Sequence, residues 1–278
     1  MSTGGDSVLV SVIVPTYNMA EYLGTAIESV LAQDFEAFEV LIVDDGSTDE
    51  TEETVAQYTD PLRPEYDERV RYVSQPNQGK AAAVNYGLGI TTGAYVTILD
   101  ADDKLPPGSL SIRYAHRKDE HGRKRDLIVG GFEVFDEQSS HGRRLPPTQA
   151  DAEELRRFFY LRWKTPFHLN ACLIARSLIQ RAGGLDERFR RCLDGDYAMR
   201  LLAVARRVTL VQSVAYQYRK YRASRAERLQ KRLQTAKYRV RVVLKNYHGL
   251  RRWLALLAGM AMDTAKLLYE IVVGNYKK

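Results

Sequence analysis

Cysteine is almost missing from this chain. Cys172 and Cys192 are the only two in 278 residues. Two thiols cannot build a disulfide scaffold, so a reducing compartment is expected. Nor does any segment reach the roughly 18 uninterrupted apolar residues that a membrane span requires. The first apolar run, Val8 to Pro15, has no basic stretch before it, so no signal peptide is expected. Repeats and low-complexity tracts are absent. With 45% apolar and 27% charged residues, collagen-like and wholly disordered chains are excluded. The length suits one large domain, or one domain with a modest appendage.

Charge is what the chain has in abundance, and it is unevenly placed. Residues 1–150 hold 13 Lys/Arg against 25 Asp/Glu, whereas residues 151–278 hold 28 against 10. Between Gln217 and Arg252 there are 13 basic residues and one acid, Glu227. Such asymmetry predicts a basic half that faces something anionic: a membrane, a nucleic acid or an acidic polymer.

The first hundred residues alternate regularly. Short β-branched runs at 8–14, 40–43, 70–73 and 94–99 read as strands buried on both faces. Between them, 20–33, a segment opening at Ser47 or Thr48, and 79–89 read as helices. Strand–helix alternation at this pitch predicts an α/β fold with a mostly parallel, doubly wound sheet flanked by helices. Further strands are expected at 127–135 and 169–175, a loop at 136–150, and helices at 150–163, 176–182 and 194–206. The expected division is a domain over 1–217 and a basic, amphipathic helical region over 218–278.

In an open α/β sheet, ligands bind beyond the carboxyl ends of the strands, where strand order reverses. The expected strand ends carry Pro15-Thr16-Tyr17-Asn18, Asp44-Asp45-Gly46-Ser47, Asn77-Gln78-Gly79-Lys80 and Asp100-Ala101-Asp102-Asp103. One such turn is readily explained as a helix cap; four converging polar turns, two of them acidic, are not. Carboxylates at i and i+2 after a buried strand suit a hard divalent cation, Mn²⁺ or Mg²⁺, which can neutralise a diphosphate leaving group.

Those four motifs, in this order and spacing, resemble the inverting family-2 glycosyltransferases of GT-A fold over roughly residues 8–215. The resemblance implies that Pro15, Thr16, Tyr17, Asp44 and Asp45 hold the base and ribose of a nucleotide-sugar donor, with UDP the usual nucleotide. It places Asn77, Lys80, Asp100 and Ala101 around the ribose and phosphates, and gives Asp102, with Asp100, to the metal. Gly183-Gly184-Leu185-Asp186-Glu187 is similar to the stretch that precedes the family's catalytic Glu-Asp pair. Here Leu193 stands where the Glu is usual. Asp194 falls on the base position and Asp196 on a second acid, and either can take the acceptor's proton. His168 and Trp163 are candidates for lining an acceptor pocket.

The processive synthases of the family carry Gln-x-x-Arg-Trp, and Gly249-Leu250-Arg251-Arg252-Trp253 lacks the glutamine. Transfer of a single sugar to a glycan or glycolipid acceptor, in surface-polysaccharide, cell-wall or glycolipid assembly, is therefore expected. Residues 253–273 form a wide apolar stripe with a polar seam, suited to an interfacial helix, to docking on the domain or to a second copy in a homo-oligomer. The expected location is cytoplasmic, peripheral at the inner face of the membrane. Two rival functions remain: a nucleic-acid-binding protein using the basic helices, which leaves the converging aspartates unexplained, and a metal-dependent nucleotidyltransferase, which has no need of Asp194.

Overall fold

The computed structural model describes residues 8–136, 139–162, 165–221 and 225–273. Trp163 lies outside the described residues. The chain runs β1 (Val10–Thr16), α1 (Ala20–Leu31), β2 (Phe38–Asp44), α2 (Thr51–Thr59), β3 (Val70–Ser74), α3 (Lys80–Ile90) and β4 (Tyr95–Ile98). Then come α4 (Ser109–Ala115), β5 (Leu127–Phe135), β6 (Ser140–Arg144), α5 (Ala152–Arg162), a 3-10 turn at Leu169–Ala171 and β7 (Cys172–Ala175). The last elements are α6 (Arg176–Ala182), α7 (Leu193–Val204), β8 (Val208–Arg219), α8 (Arg225–Asn246) and α9 (Gly249–Val273).

All eight strands join one sheet in the order β3-β2-β1-β4-β7-β5-β6, with β8 on the other edge of β5. β3, β2, β1 and β4 are mutually parallel, and β7 runs antiparallel to both β4 and β5. Every residue of β1 and β2 is buried, as the apolar runs Val12–Val14 and Val40–Val43 within them suggest for strands covered on both faces. The chain walks outward from β1 to β3, then crosses back to place β4 on the opposite side of β1. The order therefore reverses between β1 and β4, and their carboxyl ends open a crevice there.

Beneath this crevice lies a wholly buried cation. Arg113 donates to Thr97 Oγ1 (2.9 Å) on β4 and to the Cys172 carbonyl (2.8 Å) on β7. It thus ties β4, which leads into Asp100, to its antiparallel neighbour. Burial pulls its guanidinium down to about 10.

The structure departs from the sequence reading in three places. The expected loop at 136–150 contains β6, a fully exposed edge strand without an apolar face to announce it. The strand expected over 169–175 begins as a 3-10 turn. Most consequentially, β8 extends through residue 217 to Arg219, so the sheet continues two residues past the expected division. Its pairing with β5 shifts register on both sides of Gly131, which breaks the two-residue alternation that would have marked it.

α8 packs on α7, and α9 on α5. Val242, Val243, Tyr247 and Ala255 enter the same hydrophobic core as the sheet. Among the described residues, no helix is long and apolar enough to cross a membrane.

Candidate active site

The first three motifs turn out to be one hydrogen-bonded unit. Asp44 is buried and accepts from Ser47 N (2.9 Å), Ser47 Oγ (2.6 Å) and Tyr72 Oη (2.8 Å). Asn18, at φ 51°, donates its N–H to Ser47 Oγ and accepts from Thr48 N. Asp45 accepts from Gln75 Nε2, Gln78 N and Gly79 N, all within 2.8 Å. Gly79 is left-handed there, at φ +96°, which its missing Cβ permits. The two aspartates therefore shape the loops around the crevice. Binding groups on a donor nucleotide was the expected role; in this structure their oxygens already hold the β2–α2 and β3–α3 turns.

Those turns enclose a cleft of about 470 Å³. It brings together Pro15, Thr16, Tyr17, Asp45, Asn77, Lys80, Asp100, Ala101 and Asp102, with Met19, Gly79 and Ala83. Of the expected donor-side residues only Asp44 is outside, under the loop. The Tyr17 ring is 47% exposed at the mouth, and Thr16 Oγ1 is buried with no partner among the described residues. An aromatic face and an unanswered hydroxyl are what a planar base and a ribose can use.

At the cleft floor, Lys80 Nζ reaches both Asp100 oxygens, at 2.6 and 2.8 Å. Burial alone would lower the Lys80 ammonium, but the charges of Asp100 and Asp194 outweigh it and hold it above its ordinary value. Burial alone would likewise raise Asp100; Lys80 reverses this and keeps it ionised. Asp102 is pushed up by burial and by Asp100. Asp103, burial first and its two acidic neighbours second, is pushed up to about 8.

One carboxylate oxygen from each of Asp100, Asp102 and Asp103 lies within 4.8 Å of the others, an all-oxygen set that suits Mg²⁺ or Mn²⁺. Asp103 is committed elsewhere, to the Tyr216 hydroxyl and to Arg219 N (2.6 Å). Among the described residues, Asp102 takes one side-chain hydrogen bond, from Tyr221 (2.9 Å) to Oδ2. It is the most available ligand of the three.

The two candidate bases have different surroundings. Asp194 lies in the first turn of α7, partly buried, where the helix N-terminus favours negative charge. It makes no hydrogen bond or ion pair among the described residues, and its field reaches Lys80 and His168 on the cleft side. Asp196 is 1% exposed and saturated: Arg200 Nε (2.9 Å), Lys245 Nζ (2.9 Å) and Asn246 Nδ2 (3.0 Å) all donate to it. Lys245 also bonds Asp186 (2.6 Å). Asp196 thus fastens α8 to α7 through both of its oxygens.

Lys245→Met should leave Asp196 short of one charge partner inside the fold. A loss of about 1–3 kcal/mol is expected, read as a lower melting midpoint; an unchanged midpoint would remove the stabilising role of this node.

The Gly-Gly-Leu-Asp-Glu turn is locked to α3 by Asn85, which donates to the Leu185 carbonyl (2.9 Å) and Glu187 (2.8 Å) and accepts from Leu185 N (2.7 Å). A Cβ on Gly184 would stand 2.5 Å from Asn85 Oδ1, so the close approach needs glycine. His168 packs among Phe132, Tyr216 and Tyr218, and burial lowers its imidazole. It borders a second cavity of about 600 Å³ between β5, α5 and α8. Asn170, Tyr216, Arg219 and Tyr221 also reach the acidic turn, and no motif in the sequence marks them.

A mostly parallel sheet with its acidic turns gathered at the β1/β4 reversal is the GT-A architecture. The family model described as glycosyl transferase family 2 matches residues 11–187, and the chain belongs to that family. Glycosyltransferase GlyG of Streptococcus pneumoniae serotype 4 is 34% identical over 136 residues, covering 49% of this chain and 42% of its own length. Several curated relatives are longer still, with as little as 17% of their length spanned. Among solved structures, S. aureus TarS 1-349 in complex with UDP-GlcNAc aligns with a TM-score of 0.64 at 20% identity, over 89% of this chain and 70% of that one. Mannosyltransferase PcManGT from Pyrobaculum calidifontis, in complex with GDP-Man and Mn²⁺, gives 0.61 at 21%, over 96% and 81%. At such identities these two likenesses are of fold.

Proposed function

We propose that this chain transfers one sugar from a nucleoside-diphosphate sugar, UDP-linked by preference, to an acceptor hydroxyl with inversion at the anomeric carbon. The observation that carries this reading is one cleft at the strand-order reversal, where eight expected donor-side residues meet an all-oxygen metal set. Neighbours of this fold that bind UDP-GlcNAc, or GDP-Man with Mn²⁺, support it.

Asp102, with Asp100 behind it, would hold the ion. A bound Mn²⁺ or Mg²⁺ supplies Lewis-acid neutralisation of the diphosphate that leaves. Tyr17 offers its face to the base and Thr16 its hydroxyl to the donor. Lys80 fixes Asp100 and adds positive charge beside the phosphates. Asp194 takes the acceptor's proton as the acceptor oxygen attacks the anomeric carbon and the bond to phosphate breaks. Release of nucleoside diphosphate from a panel of nucleotide sugars, with Mn²⁺ or Mg²⁺ and candidate acceptors, tests this. Turnover with one donor is expected; no release from any donor would overturn it.

The C-terminal helices fit a glycan or glycolipid acceptor presented at an anionic membrane face. Trp253 (64% exposed), Leu254, Leu257 and Met260 form an outward apolar stripe on α9, and Lys237 and Arg241 are exposed on neighbouring α8. Buried apolar area and about 1 kcal/mol per surface Lys/Arg would drive such binding. Sedimentation with phosphatidylglycerol vesicles is expected for the wild type and not for Trp253→Glu with Leu257→Glu. Equal sedimentation of both would exclude this surface, and salt-sensitive retention on RNA instead would favour the nucleic-acid reading.

A further inference from the structure

Tyr221 lies beyond the segment that the family model matches, yet its hydroxyl donates to Asp102 Oδ2 at 2.9 Å. The contact is held in place from several sides. The Tyr221 ring meets Tyr22 edge-on at 5.9 Å, and the Arg219 guanidinium covers Tyr22 at 4.7 Å and Phe135 at 4.8 Å. Arg219 Nε also donates to the Asp102 carbonyl (2.8 Å), while its N–H binds Asp103. The exit of β8 is thus fastened to both the backbone and the side chain of the acidic turn. Among the described residues, Tyr221 is the only side-chain hydrogen-bond donor to the Asp102 carboxylate.

We propose that Tyr221 is a positioning residue for the divalent ion: its hydroxyl fixes the plane of the Asp102 carboxylate so that the other oxygen is presented to the metal. This rests on the metal role given to Asp102 above. A carboxylate free to rotate must be ordered when the ion binds, and Mg²⁺ and Mn²⁺ demand near-octahedral placement of each oxygen. A hydrogen bond to the outer oxygen removes that cost beforehand, and outer partners of this kind are typically worth about 10–100-fold in metal affinity.

The test is a Mn²⁺ titration followed by electron paramagnetic resonance, on the full chain with UDP present and no sugar. Tyr221→Phe keeps the ring on Tyr22 and removes only the hydroxyl. It is expected to weaken Mn²⁺ binding at least about 10-fold, with metal-free UDP affinity and melting midpoint unchanged; Tyr66→Phe, remote from the site, should match wild type. Equal Mn²⁺ affinity in Tyr221→Phe and wild type would overturn the proposal alone. Parallel losses of metal-free UDP affinity and melting midpoint would also overturn it, by making the role structural. Absence of Mn²⁺ binding in the wild type would overturn both it and the metal reading.

Discussion

Replacing Asp194 with asparagine is expected to cut turnover by about 10²–10⁴-fold, the usual contribution of a positioned general base. The amide keeps the size of the side chain but cannot accept the acceptor's proton at neutral pH. Since Asp194 makes no bond among the described residues, the fold should not change. Mn²⁺-dependent binding of UDP should be untouched, because Asp194 is not among the residues that line the cleft. Steady-state release of nucleoside diphosphate, alongside calorimetric UDP binding, checks both halves. Full activity would remove Asp194 from the reaction. The role would not pass to Asp196, whose oxygens are held by Arg200, Lys245 and Asn246.

Asp102→Ala is expected to fail in a different way. Neutralising the departing diphosphate is worth several kcal/mol, so turnover should fall by about 10³-fold or more. Here the Mn²⁺-dependent part of UDP binding should vanish as well. The contrast is the informative part: one variant binds and does not react, the other does neither. Mn²⁺-dependent UDP binding that survives Asp102→Ala would move the ion to another ligand set.

Much of this site is legible in the chain because buried parallel strands announce themselves twice. Val12-Ile13-Val14 and Val40-Leu41-Ile42-Val43 are apolar on both faces, and the polar residues that follow must lie at the sheet's edge. Spacing alone therefore places Asp45, Lys80 and Asp102 near one another. What those residues do there is less legible. Asp44 and Asp45 read as donor ligands, and in the structure their oxygens hold the loops, since a carboxylate after a strand serves neighbouring N–H groups as readily as a ligand. Asp196 reads as a second acid until Lys245, 49 residues later, is seen to reach it. Tyr221 is 119 residues from Asp102, two residues past a strand whose alternation is broken by bulges, and nothing local marks the contact.

The most direct measurement is the anomalous scattering of manganese in crystals of the full chain grown with UDP and Mn²⁺. The expected result is one peak against Asp102, between that carboxylate and the UDP diphosphate, with the base beside Tyr17. A diphosphate bound away from the β1/β4 crevice, or a manganese peak with no oxygen of Asp102 in reach, would contradict the assignment of this cleft as the place where the sugar leaves its nucleotide.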